Sequence, residues 1–160
     1  MEYTDQYVYV NVGDAVAATE MDNDELRLTL NFNNDRVPYA LVEVISFIIK
    51  TNNSNNNRFT LKCTELPQNY LGYDNMGSAL AIAGFSADIT AGHHVYELCG
   101  SSPKLMFANP RLLTLYITND QGVKQPVGVP DNIEGFTVLL KISYPKSGEI
   151  TPVYRSQIPL

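Results

Sequence analysis

Leu26-Arg27-Leu28-Thr29-Leu30-Asn31-Phe32 decides the fold class. Apolar and polar residues alternate strictly along it. Successive side chains of a strand point to opposite faces, so this run has one apolar face and one polar face. An amphipathic helix would instead repeat every three or four residues. The same alternation recurs along the chain. Val8, Val10 and Val12 alternate with Tyr7, Tyr9 and Asn11, and Phe59, Leu61 and Cys63 with Thr60, Lys62 and Thr64. Leu113, Leu115 and Ile117 alternate with Thr114, Tyr116 and Thr118. Phe136, Val138, Leu140 and Ile142 alternate with Thr137 and Lys141.

Three further segments fit strands less cleanly. Ala40 to Ile49 is apolar on both faces, with Leu41, Ile45, Phe47 and Ile49 on one and Val42, Val44 and Ile48 on the other. An antiparallel strand with two apolar faces implies cover on its outside as well. Leu80 to Phe85 is small and apolar, and His93 to Leu98 is a further candidate. The stretch Asp14 to Glu25 has room for one helical turn. Punctuation agrees with strands. The polar run Asn52 to Asn57 reads as a turn, and Asn119-Asp120-Gln121-Gly122 as a hairpin loop. Pro38, Pro67, Pro110, Pro126 and Pro130 fall at the ends of the apolar runs, where a missing N–H does least harm.

These features predict an all-β fold: an antiparallel β-sandwich, best fitted as a single jelly roll of about eight strands. An immunoglobulin sandwich wants a buried Trp, and the chain has none. The expected core includes Leu28, Leu30, Ile45, Phe59, Leu61, Leu115, Ile117, Val138 and Leu140. The 160 residues suit one domain, with extended N-terminal and C-terminal arms, the latter over 145–160.

Composition narrows the function. Eleven Lys and Arg are scattered singly among seventeen Asp and Glu, for a formal net charge of −6. Nucleic-acid binding needs a basic patch or stripe, so none is expected. The longest apolar run is broken by Glu43 and Ser46 and falls short of the ~20 residues of a membrane span. No basic start followed by an apolar run opens the chain, so no signal peptide is expected, and the sequon Asn52-Asn53-Ser54 is expected to go unread. Gly-x-Ser-x-Gly, phosphate-binding glycine loops, His-Glu-x-x-His and Cys-x-x-Cys are all absent. His93 and His94 are adjacent, so on a strand they point apart and serve one metal poorly. No catalytic residue, cofactor, metal or small-molecule substrate is therefore expected. Cys63 and Cys99 are expected as two buried free thiols, a disulfide between them being the alternative.

Two features favour contact with other proteins. Tyr7, Tyr9 and Tyr116 lie on the polar side of their runs, where they serve either a partner surface or cross-strand packing. Pro145, Pro152 and Pro159 keep the C-terminal stretch extended. That stretch carries Val153, Tyr154, Ile158 and Leu160, apolar residues that need a surface to cover them. These seven residues are the candidate interface.

Three pieces carry a family likeness. Pro110-Arg-Leu-Leu-Thr-Leu-Tyr-Ile-Thr-Asn-Asp-Gln-Gly122 is a late strand running into an Asx-x-Gly hairpin; Glu65-Leu-Pro-Gln-Asn-Tyr70 follows a strand; Phe136 to Tyr144 is a closing strand. In these the chain resembles, over about residues 26 to 144, the single jelly-roll penton and minor capsid proteins of large icosahedral double-stranded DNA viruses, of the algal giant virus and polinton-like kind. The resemblance implies a jelly roll, a place in the virion shell, synthesis in the host cytoplasm, and assembly with copies of itself and other capsid proteins. A β-sandwich binding module, such as a carbohydrate-binding or adhesin-like head, is the alternative.

Overall fold

Among the described residues every regular element is a strand, as the alternation requires. The computed structural model describes residues 2–13, 21–22, 24–32, 37–52, 57–66, 79–90, 93–101, 103–107, 111–128 and 133–146. The strands are β1 (Tyr3–Val12), β2 (Met21–Asp22), β3 (Glu25–Thr29), β4 (Tyr39–Thr51), β5 (Arg58–Cys63), β6 (Ala79–Thr90), β7 (His93–Ser101), β8 (Lys104–Phe107), β9 (Leu112–Thr118) and β10 (Ile133–Pro145). The excess over eight comes from short pieces: β2 has two residues, and β8 pairs with β4 beyond the stretch that β7 occupies.

The strands wind as one long hairpin rolled up on itself. Innermost, β5 pairs with β6; around them β4 pairs with β7 and β8; then β3 with β9; outermost, β1 with β10. All these pairings are antiparallel. Rolling that nested hairpin sets its pairs alternately into two sheets, giving the lateral order β1-β10-β4-β7-β6-β5-β9-β3-β2. This is the jelly-roll arrangement. One sheet is β1-β10-β4-β7 and the other β6-β5-β9-β3, and the β6–β7 pairing joins them into a single curled surface.

The inner faces enclose one core. Phe47, Ile49, Phe59, Leu61, Leu113, Leu115, Val138 and Leu140 are fully or almost fully buried. Two edge-to-face aromatic pairs tie the layers, Phe59 with Tyr96 and Phe32 with Tyr144, each at 4.8 Å between ring centres. Such pairs add roughly 0.5–1.5 kcal/mol beyond the area they bury. Of the expected core residues, Leu28 is only half-buried and Ile45 is exposed.

Ile45 is the informative exception. Opposite β4, Leu139 pairs with Ser46 but Leu140 pairs with Val44, so Ile45 is an extra residue with no partner on β10. This β-bulge shifts the alternation by one. Ala40, Val42 and Val44 face inward before it, Phe47, Ile49 and Thr51 after it. The run that looks apolar on both faces is thus one inward face written in two phases. Outside cover is not what accounts for it, and Leu41, Ile45 and Ile48 are left on the outer side.

Of the two expected arms, the described residues reach the N-terminal one and only the first residues of the C-terminal one. At the N-terminal end, Tyr3–Val12 is an edge strand in continuous register with β10, from Tyr3 opposite Pro145 to Val12 opposite Phe136. Pro145 ends β10 within the sheet, and the Lys146 N–H donates to the Glu2 carbonyl. Residues 147–160, with Val153, Tyr154, Ile158 and Leu160, lie outside the described residues. So does the helical turn expected within Asp14 to Glu25, except that Met21–Asp22 and Glu25 are strand.

The loop after β9 forms as its sequence dictates. The Asn119 side-chain oxygen accepts from the N–H groups of Gln121 and Val123, and Gly122 takes the positive φ of 79° that the turn needs. Beside the other end of β9, Glu65 makes a latch. Its carboxylate accepts from the Thr114 N–H at 2.6 Å and hydroxyl at 2.5 Å, and from the Cys63 thiol at 3.3 Å. Burial pushes the Glu65 pKa up, but the Thr114 hydrogen bonds outweigh it and hold the group below its ordinary 4.5. A depressed carboxylate pKa adds stability above pH 4.5 that is lost as pH falls through the folded value. Glu65→Gln should therefore cost about 1 kcal/mol at neutral pH, a modest figure because the residue is partly solvated. In urea titrations the difference from the unmodified protein should shrink on acidification. A difference independent of pH would show that the charge plays no part.

Candidate assembly surface

The two outer faces differ. On the β5–β9 side, the outward-pointing Thr60, Lys62, Thr114 and Thr118 are all buried, so the chain itself covers most of that face, leaving Leu112 at its end 41% exposed. Removal from water lowers the pKa of Lys62. On the β1–β10–β4 side the outward residues stay open, and several are apolar. Tyr7 is 60% exposed, Tyr9 67%, Ile45 43% and Ile48 40%, with Tyr3 at the margin.

Register places these side chains together. Tyr7 lies opposite Lys141, which lies opposite Glu43; Tyr9 lies opposite Leu139, next to Ser46 and the Ile45 bulge; Asn11 lies opposite Thr137, which lies opposite Ile48. The result is an aromatic and aliphatic strip across three strands. Its polar border is internally matched. Asp5 accepts from the Ser143 hydroxyl at 2.7 Å and stands 3.6 Å from the Lys141 ammonium, while Lys146 pairs with Glu2 at 2.8 Å. These exposed pairs add little stability, but they spend the local charge within the chain. At the far margin the Tyr3 and Tyr39 hydroxyls share a 2.8 Å hydrogen bond, which with partial burial pushes the Tyr39 pKa to about 12.

Tyr116 does not join this strip. It lies on β9, in the other sheet, half-buried beneath the Lys124 ammonium at 5.0 Å from its ring centre. Lys124 also reaches Glu25 at 2.6 Å. The sequence pattern groups Tyr116 with Tyr7 and Tyr9 because all three alternate outward; it carries no sign of which sheet each strand joins. Conversely, it misses Ile45 and Ile48, since the bulge is what turns both outward.

No protein-family model and no curated protein matches this chain.

Among the described residues no group of three His, Cys, Asp or Glu is placed to hold a metal ion, and no helix there is long and apolar enough to cross a membrane. An open cleft of about 420 Å³ lies at one end of the strip, lined among others by Asn11, Gly13, Lys50, Glu134 and Thr137. Both cysteines are free thiols, but Cys99 is exposed rather than buried, because it points to the outer side of β7. Cys63 is fully buried, and burial pushes its thiol up to about 12. Only the thiolate reacts readily. A thiol reagent should therefore modify one cysteine, Cys99, in the native protein and both after denaturation. Rapid native modification of both would contradict the packing around Cys63.

Proposed function

We propose that this protein is a structural shell component, a penton or minor capsid protein of an icosahedral virion, acting through assembly with copies of itself and other capsid proteins. The observation that carries the reading is the asymmetry of the sandwich. A jelly roll by itself hosts many functions. Here the outward residues of β5 and β9 are mostly buried, while the other outer face presents a tyrosine and isoleucine strip bordered by ion pairs within the chain. Exposed apolar strips rimmed by polar residues mark protein interaction sites, and tyrosine is enriched at such interfaces. The resemblance to single jelly-roll capsid proteins points the same way. In this reading the protein performs no chemical step, needs no cofactor and binds no nucleic acid or small-molecule substrate. Residues 153–160 would add a second contact to neighbouring subunits. Its location is the virion.

A β-sandwich binding module is the second reading, and the cleft beside Lys50 and Glu134 favours it. It offers polar groups to a ligand, yet the one aromatic residue in its lining, Phe136, is buried and gives no stacking platform. Peptide mass fingerprinting of purified virus particles, with immunogold labelling of their surface, tests the proposal. The expected result is the protein in fixed stoichiometry with the other shell proteins. A protein that is missing from particles, stays monomeric and is retained on a glycan array would replace the shell reading with the binding module.

A further inference from the structure

Among the described residues the curled sheet ends laterally at β1 and β2. They are managed differently. A sheet edge exposes unpaired N–H and C=O groups, and proteins blunt it with short strands, bulges, prolines or lysines. The β2 edge is two residues long. The β1 edge is ten residues long, contains no Pro, Gly, Lys or Arg, and keeps unbroken register with β10, whereas the β4–β10 and β6–β7 pairings are both interrupted by irregularities. Among the described residues no strand pairs with its outer side.

We infer that the free edge of β1 is a two-fold contact between copies of this chain, formed by antiparallel β1–β1 pairing with Val8 opposite Val8 of the partner copy. The strand is complementary to itself in that register. Outer-face residues must meet outer-face residues, so only every second register is open. With Val8 on the axis, Tyr7 faces Tyr9 of the partner copy and Tyr9 faces its Tyr7, giving two aromatic cross-strand pairs, a favourable combination. Asp5, the only charged residue of β1, then faces the neutral Asn11. The register centred on Asp5 would oppose two carboxylates. Registers centred on Tyr7 or Tyr9 would keep a single tyrosine pair, and the one centred on Gln6, though it sets Tyr3 opposite Tyr9 twice, overlaps seven residues of β1 rather than nine. A contact in which one patch meets itself closes as a dimer, and here it would join two β1-β10-β4-β7 sheets into one continuous surface. This goes beyond the shell reading and does not depend on it: the pairing can fail while the protein is still found in particles.

Sedimentation velocity on the full chain and two double variants tests it. Tyr7→Lys with Tyr9→Lys sets like charges opposite each other twice and should weaken association roughly tenfold or more. Tyr7→Lys with Tyr9→Glu sets the two introduced charges opposite each other in the Val8 register alone, and should restore the dimer; in the Gln6 register position 7 faces Asp5, so the double lysine variant would strengthen that pairing rather than weaken it. In the Tyr7 or Tyr9 registers the lysine–glutamate variant would place lysine on lysine or glutamate on glutamate. Both tyrosines are exposed, so the variants should fold, which thermal melting checks. A monomeric full chain overturns the inference, as does a dimer indifferent to the double lysine variant or not rescued by the lysine–glutamate pair. If the full chain is monomeric and deletion of residues 147–160 makes it dimerise, the chain's own terminal segment occupies the edge, and the inference also falls.

Discussion

Phe47→Ala should destabilise the protein by about 3–5 kcal/mol, whereas Ile45→Ala, two positions away on the same strand, should cost under ~1 kcal/mol. Phe47 is fully buried and Ile45 is 43% exposed. Emptying the Phe47 site removes its transfer free energy and leaves a void that a close-packed interior only partly fills. Ile45 on the bulge gives up a few surface contacts. Residues two apart on a regular strand share a face, so without the bulge the two substitutions would have comparable costs. Leu115→Ala and Leu140→Ala belong with Phe47, at ~2–5 kcal/mol each. Equilibrium denaturation in urea measures all four. Similar losses at positions 45 and 47 would mean that β4 carries no bulge there and that its outer side is covered after all.

The second large effect is expected at Gly135, the point where β10 runs under the end of β1. A Cβ built there would lie 2.6 Å from the Val12 carbonyl oxygen and 3.3 Å from the Gly13 Cα. Both are backbone atoms that cannot rotate away. Gly135→Ala must therefore push β1 off β10, next to the register shift between Ile133 and Gly135. Overpacking of this kind costs typically 1–3 kcal/mol, with the upper end expected against main chain. Gly84 supplies the control, because its added Cβ would meet only the Cys99 side chain, Sγ at 3.3 Å and Cβ at 3.7 Å, and the sulfur can turn away. Gly84→Ala should be near neutral in thermal unfolding. Equal losses at the two positions would show that the approach of Val12 to Gly135 is not the constraint.

Where the alternation is regular, the strands were legible. In Leu26 to Phe32 and Phe136 to Ile142 local periodicity and burial coincide; Phe59 to Cys63 and Leu113 to Thr118 keep their inward phase too, although most of their outward residues are buried as well. What stayed hidden is whatever depends on a partner strand. The Ile45 bulge exists only relative to β10, and a bulge in a run of Val, Ile and Phe leaves no polar mark at the crossover. The separation of Tyr116 from Tyr7 and Tyr9 depends on sheet membership, which nested winding assigns and periodicity does not. Cys99 follows Leu98 in β7, a strand whose outward Glu97 gives weak phase information, and its exposure was missed. Buried Lys62 is a similar case: its alternation says outward, and only the closure of the β5–β9 face takes it out of water.

The nested winding also governs when each part of the protein can form. Its outermost pair joins strands at opposite ends of the chain, and the roughly 120 residues between Val12 and Ile133 take about 6–25 s to synthesise at typical rates. Throughout that interval β1 has left the ribosome without β10, so both of its long edges lack their strand partner. Closing so large a loop is also entropically slow, and all-β proteins dominated by distant pairings fold over milliseconds to seconds. The strand with the most pairing-competent edge is thus the last to gain its lateral neighbour. Nascent chains crowded on one message would expose the same segment to one another, so yield during expression should depend on translation speed and temperature more steeply than the stability of the finished sandwich alone would dictate.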